Sequence, residues 1–245
     1  MKRAVLCSAA LTLALIAVVI TVLGQVGAGT LPASREDARL RFINASPDAP
    51  PLDVLLNGTE VFTSTSFGEI TDYASLVAGM YTITLRNAGP DAPLLPPMYI
   101  TDVFVGPGTT VAAAGMLSPR PGESSFDGIV FTYTHAIPSP GEVRARFGHL
   151  APDLTFPVTV TINGEPLFKG VGYGDLTPYE TVPVGRHTLE VLGPFITATV
   201  TTEPNRVYSF FTIGLASGPP DLEVLQVVDA SYDARVWLPI IKRGG

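Results

Sequence analysis

Arg39-Leu40-Arg41-Phe42-Ile43-Asn44-Ala45-Ser46-Pro47-Asp48 returns as Arg144-Ala145-Arg146-Phe147-Gly148-His149-Leu150-Ala151-Pro152-Asp153, at a constant offset of 105 residues. Both stretches read Arg-x-Arg-Phe and then Pro-Asp. One inserted residue later the offset becomes 106: Asn57-Gly58 meets Asn163-Gly164, Phe67-Gly68-Glu69 meets Tyr173-Gly174-Asp175, Tyr73 meets Tyr179 and Gly79 meets Gly185. Beyond this the matches loosen, with Val111 beside Val207. Self-similarity at a fixed period marks tandem structural units. The chain is therefore read as two copies of one domain, residues 38–137 and 141–232, followed by a tail at 233–245. The joint, Ala136-Ile137-Pro138-Ser139-Pro140-Gly141, is proline-rich and hence stiff. It predicts two separate cores, held apart over a limited range of angles.

Within each copy, short runs of Val, Ile, Thr, Phe and Tyr alternate with Gly, Pro and Asn-Gly, which is the signature of strands and turns. Thr159-Val160-Thr161-Ile162 alternates polar with apolar up to Asn163-Gly164, and Asn-Gly suits a tight hairpin because both positions tolerate positive φ. Gly79 and Gly185 read as turn glycines, and Gly106-Pro107-Gly108 as a hairpin turn. The runs near Arg39, Val54, Val61, Tyr81, Ile100, Val111 and Ile129 predict about seven strands in the first copy. An all-β fold follows, with an immunoglobulin-like β-sandwich for each copy.

The N-terminal part is of another kind. Lys2 and Arg3 precede an uncharged apolar run, Ala4 to Leu23, and small residues follow at Val26-Gly27-Ala28. This is the layout of a secretory signal peptide over residues 1–28. The competing reading is an uncleaved anchor, since the run is about as long as the ~20 residues that span a bilayer. Either way the sandwiches are expected outside the cytoplasm, secreted or at the cell surface, with membrane contact only if the segment is retained. Cys7 is the one cysteine and lies in this segment, so the remainder has no disulfide, thiolate ligand or cysteine nucleophile. Without Met1–Ala28 the net charge goes from −7 to −9. Such a charge excludes a basic nucleic-acid footprint.

Arg-x-Arg-Phe, Ser46-Pro47-Asp48-Ala49-Pro50, Leu52-Asp53-Val54, Asn57-Gly58, Phe67-Gly68, Thr71-Asp72-Tyr73 and Ala78-Gly79-Met80-Tyr81 together resemble the bacterial domain of unknown function DUF4397. The resemblance covers both copies and is strongest in the first half of each. It implies secreted or surface-attached β-sandwich domains, commonly in tandem, and no established activity. It also implies a His before Pro-Asp and an Asp opening the next strand. The second copy keeps the former as His149 and the first keeps the latter as Asp53, while Asn44 and Thr159 stand at the other two places.

Candidate chemistry is confined to repeat-matched residues. Asp48 and Asp153 present either calcium-binding carboxylates or turn residues accepting local backbone N–H bonds; calcium needs six to eight oxygens, and no dense Asp/Asn loop surrounds either one. Tyr73 and Tyr179 suit core filling with a hydroxyl at a loop, or stacking on a sugar. Arg41 and Arg146 suit anion binding or ordinary surface and edge pairing. His135, His149 and His187 are the only histidines and none sits in a zinc or esterase signature. No cofactor, metal or catalytic set is expected. The sequence therefore predicts a non-enzymatic exported module for binding, adhesion or spacing, its partner an extracellular protein or carbohydrate. The rivals are a secreted hydrolase acting on polysaccharide or peptide, whose paired carboxylates would meet only in space, and a membrane-anchored envelope component.

Overall fold

The computed structural model describes residues 37–89, 98–133, 137–193 and 196–232. Residues 1–28, expected from the sequence to be a signal peptide, His135 and the tail 233–245 lie outside the described residues. The first copy forms β1 (Asp37–Asn44), β2 (Leu52–Leu56), β3 (Thr59–Thr65), β4 (Ala74–Val77), β5 (Gly79–Asn87), β6 (Met98–Val105), β7 (Thr109–Ala114) and β8 (Asp127–Thr132). The second forms β9 (Val143–His149), β10 (Val158–Ile162), β11 (Glu165–Val171), β12 (Glu180–Val182), β13 (Gly185–Leu192), β14 (Ile196–Thr202), β15 (Arg206–Ile213) and β16 (Glu223–Ser231). Among the described residues each copy thus has eight strands, where the run count in the first copy predicts about seven. The additional one, β4, spans four residues and is parted from β5 by a single residue.

Two sheets make each sandwich. In the first copy β4-β1-β7-β8 faces β3-β2-β5-β6, and in the second β12-β9-β15-β16 faces β11-β10-β13-β14. β1 runs parallel to β7 and β9 parallel to β15, while every other pair of strands is antiparallel. Both Asn-Gly pairs turn as predicted: Asn57 and Gly58 have φ of 48° and 81°, Asn163 and Gly164 of 53° and 84°. Gly106-Pro107-Gly108, predicted as a hairpin, instead carries the chain from β6 in one sheet to β7 in the other. The strand registers also revise the later matches. Arg41 pairs with Thr110 and Arg146 with Ser209, so Val111 corresponds to Phe210 rather than to Val207.

Period-two alternation explains where the cores sit. Ala38, Leu40 and Phe42 of β1 turn into the first sandwich with Leu52, Val54, Ile83 and Val111. Phe147 of β9 and Tyr208 and Phe210 of β15 do the same in the second, with Val160, Leu189 and Val191. The opposite face of those strands is buried too. Ile43, Ala45, Ala112, Ala114 and Phe131 of the first copy pack against Leu150, Phe211, Ile213 and Val227 of the second in a third apolar cluster. The Phe131 and Phe211 rings lie 5.6 Å apart there. The copies are therefore not held apart by their joint. They share a core, and the described strands belong to one compact unit, Glu36–Gly245. A sheet covered on both faces reads as a nearly unbroken small or apolar run, and Thr109-Thr110-Val111-Ala112-Ala113-Ala114, buried at every residue, is such a run.

Candidate functional site

Each Pro-Asp turn follows the first strand of its copy. The Asp48 carboxylate accepts the backbone N–H groups of Leu117 at 2.8 Å and Ser118 at 2.9 Å. Asp153 accepts those of Ala216 at 3.1 Å and Ser217 at 2.9 Å, and the Ser217 hydroxyl at 2.9 Å. The bonds are not local, as a turn would have them, but clamp loops more than 60 residues away. The clamped loops, Gly115-Met116-Leu117-Ser118 and Gly214-Leu215-Ala216-Ser217, repeat a Gly-x-x-Ser pattern that was itself legible. Their glycines are required: a Cβ on Gly115 or Gly214 would lie 2.1 or 2.2 Å from a carbonyl oxygen, and both have positive φ.

His149 and Asn44 brace the same turns from inside. Asn44 donates from Nδ2 to the Thr65 carbonyl at 3.0 Å, and its Oδ1 accepts the Ser46 N–H at 3.2 Å. His149 Nε2 lies 2.9 Å from the Leu154 carbonyl, while its Nδ1 accepts the Ala151 N–H at 3.4 Å. A carbonyl only accepts, so the proton is assigned to Nε2 and the ring is neutral. Burial pushes the imidazole pKa down, which favours the same form. An amide and a neutral imidazole both pair a donor nitrogen with a nearby acceptor, which is why they exchange between the copies; the amide spends its second N–H on the Pro50 carbonyl at 3.4 Å.

The remaining candidates meet where the copies join. Arg41 and Arg146 project from β1 and β9 into the space between the two inner sheets, and both are at least 95 % buried. Arg41 donates from Nε to the Thr110 hydroxyl at 2.9 Å, and Arg146 from Nε to the Ser209 hydroxyl at 2.7 Å. Each guanidinium lies over the tyrosine of its own copy, Arg41 at 4.7 Å from the Tyr73 ring and Arg146 at 4.6 Å from the Tyr179 ring. Each also crosses the junction: Arg41 donates to the Val228 carbonyl at 2.9 Å, Arg146 to the Thr132 carbonyl at 3.0 Å. Reciprocal contacts of this kind define an isologous, pseudo-two-fold interface.

Asp229 breaks that symmetry. Its buried carboxylate pairs with Arg41 of the other copy and stands 3.5 Å from Arg146 of its own. It also accepts the hydroxyls of Tyr179 and Ser209, each at 2.6 Å. Thr110 pairs with Phe131 and Ser209 with Val227, but the register then shifts between Val228 and Ala230, so Asp229 is an extra residue of β16; two positions beyond Phe131 the first copy has Tyr133. Tyr133 supplies an aromatic edge to Tyr179 at 6.0 Å and shares a 2.7 Å hydrogen bond with the Tyr232 hydroxyl. Burial, then the Asp229 charge, drives the Tyr179 pKa far upward, and burial raises that of Tyr73. Both phenols stay protonated. Arg41 and Arg146, placed by sequence at the surface or an edge, thus lie inside the molecule, and Tyr73 and Tyr179 line the junction rather than the sandwich cores.

Thr110, Ser209 and Asp229 complete this cluster and escaped the sequence reading because they come from the looser second halves of the repeat. Also missed were Arg86 and Glu60, which surround Asp53 on the outer sheet of the first copy. As chemistry, the junction is a lock, with buried charges matched by fixed donors and acceptors on both sides.

The family model for a domain of unknown function, DUF4397, matches the chain twice, over residues 38–156 and 154–235. No curated protein matches it.

Proposed function

Starting from a chain that belongs to the DUF4397 family, we propose that it works outside the cytoplasm as a non-enzymatic module, two fused sandwiches presenting loops and outer sheet faces for binding or adhesion at a set spacing. One observation carries this reading: the repeat-matched candidates Arg41, Asp48, Tyr73, Arg146, His149, Asp153 and Tyr179 are all engaged in holding the fold. Asp48 and Asp153 clamp loops, Asn44 and His149 brace turns, and the Arg-Tyr pairs close around Asp229. A catalytic group needs a reactive atom free to meet its substrate, whereas the polar atoms of these residues are taken up by partners within the chain. Export is supported by Lys2-Arg3 and the apolar run behind them.

The test joins two measurements on the chain from Gly29 onward. Incubation with ester, glycoside and peptide substrates is expected to give no turnover, and thermal unfolding is expected to show one cooperative transition. Turnover that disappears on substitution of one carboxylate would establish the hydrolase reading instead. Two separate transitions would remove the argument for a set spacing.

A further inference from the structure

We propose that the first copy carries a saccharide-binding recess, in which Asp53, Glu60 and Arg86 take a neutral sugar through two adjacent hydroxyls. The proposal rests on the reading of the protein as a binding module and names its ligand class.

Asp53 lies on the outer sheet of the first sandwich yet is only 3 % exposed. Its Oδ1 accepts the Ser64 N–H at 2.9 Å and its Oδ2 the Arg86 Nε–H at 3.2 Å. Arg86 also pairs with Glu60, and both of these side chains remain open to solvent, at 31 % and 43 %. With Thr63, Ser64 and Gly89 they line an open recess of about 530 Å³.

The second copy is an internal control for what the fold requires. Strand register places Thr159 at the position of Asp53, Pro166 at Glu60 and Leu192 at Arg86. The same sheet therefore forms with none of the three charged groups. This contrasts with Arg41/Arg146 and Asp48/Asp153, which the fold uses and both copies keep. The backbone repeats the contrast. The bulge in the third strand needs a left-handed residue, which the second copy supplies with Gly170 at φ 65° and the first with Ser64 at φ 53°. Serine is held there against the clash between Cβ and its own backbone. A desolvated carboxylate on a sheet that folds without one is a cost that a ligand would justify.

The chemistry selects the ligand. One guanidinium and two carboxylates leave the recess with a single net negative charge, which disfavours an anion. Neighbouring sugar hydroxyls fit, because one donates to the Glu60 carboxylate while the next accepts from Arg86, and each hydroxyl is both donor and acceptor. The Thr63 and Ser64 hydroxyls extend the same pattern.

The test titrates the chain from Gly29 onward with maltose, cellobiose, xylobiose and chitobiose, by calorimetry and by amide chemical shifts. At least one sugar is expected to bind, with shifts gathered at residues 60–64 and 86–89. The double exchange Asp53→Thr and Arg86→Leu installs the second copy's own pair; it should still unfold cooperatively and bind at least about tenfold more weakly. Glu60→Gln, at an exposed position, should weaken binding whatever the double exchange does to folding. No binding of any sugar, equal binding by the variants, or binding of a lysine-rich peptide in place of sugars would overturn the proposal. The two readings fail differently: a sugar bound and cleaved would end the non-enzymatic reading and leave the recess standing. A chain inert to all four sugars and to every hydrolase substrate would do the reverse.

Discussion

Arg41 and Asp229, 188 residues apart in the chain, form a buried ion pair that joins the first copy to the second. Neither copy makes this pair alone, since Arg41 belongs to the first and Asp229 to the second. Among the described residues, Asp229 is also the acid that stands against Arg146. Removing one partner of a buried pair strands the other charge in the interior, at about 3–5 kcal/mol. Asp229→Ala is therefore expected to lower stability by about that much in urea unfolding. Thr110→Val, which removes one neutral partner of Arg41, should cost about 1–3 kcal/mol.

The reciprocal contacts across the junction predict that the copies recognise one another in trans. Residues 38–137 and 141–232, expressed separately, each keep their own apolar cluster but expose Ile43, Phe131, Phe211 and Val227. Mixed in equal amounts, they are expected to sediment as a one-to-one complex. The complex should be lost when the second piece carries Asp229→Ala; two pieces that remain monomeric on mixing would refute the shared core.

Burial holds the His149 pKa below its ordinary 6.5. Below that pH the unfolded chain binds a proton that the native ring resists, so this contribution to stability is complete above about 6.5 and is lost as pH falls beneath it. Melting temperatures of the parent should decline over that range more steeply than those of His149→Asn, which copies the amide already working at Asn44. Parallel curves for the two proteins would show that His149 is protonated without cost.

Asp48 and Asp153 accept backbone N–H groups much as helix-capping oxygens do, and loss of such an acceptor costs about 0.5–2 kcal/mol. Each Asp→Ala variant should lose stability in that range, equally in millimolar calcium and in chelator. A calcium-dependent rise in melting temperature that the substitutions abolish would instead make these residues metal ligands.

Much of this architecture was legible in local pattern. The offset repeat, period-two alternation and Asn-Gly turns are short-range properties, and they determine by themselves that the chain holds two copies of an all-β domain. What the repeat could not say was why it is strongest at Arg41, Phe67-Gly68 and Tyr73. Alternation along β1 shows that Leu40 and Phe42 face one way and Arg41 the other, and an arginine on the far face reads as solvated. Only tertiary packing places a second sheet against that face, burying Arg41 and Arg146 and bringing Gly68 beside Ile213 and Gly174 beside Ile129. The Asp53–Arg86–Glu60 recess was hidden for a related reason. Its members lie on three strands, and strand register, set by turns and bulges far from each residue, decides which side chains become neighbours. The sequence alone determined what repeats; the fold decided which repeated residues are interior, because burial of a strand's second face depends on a partner sheet from the other half of the chain.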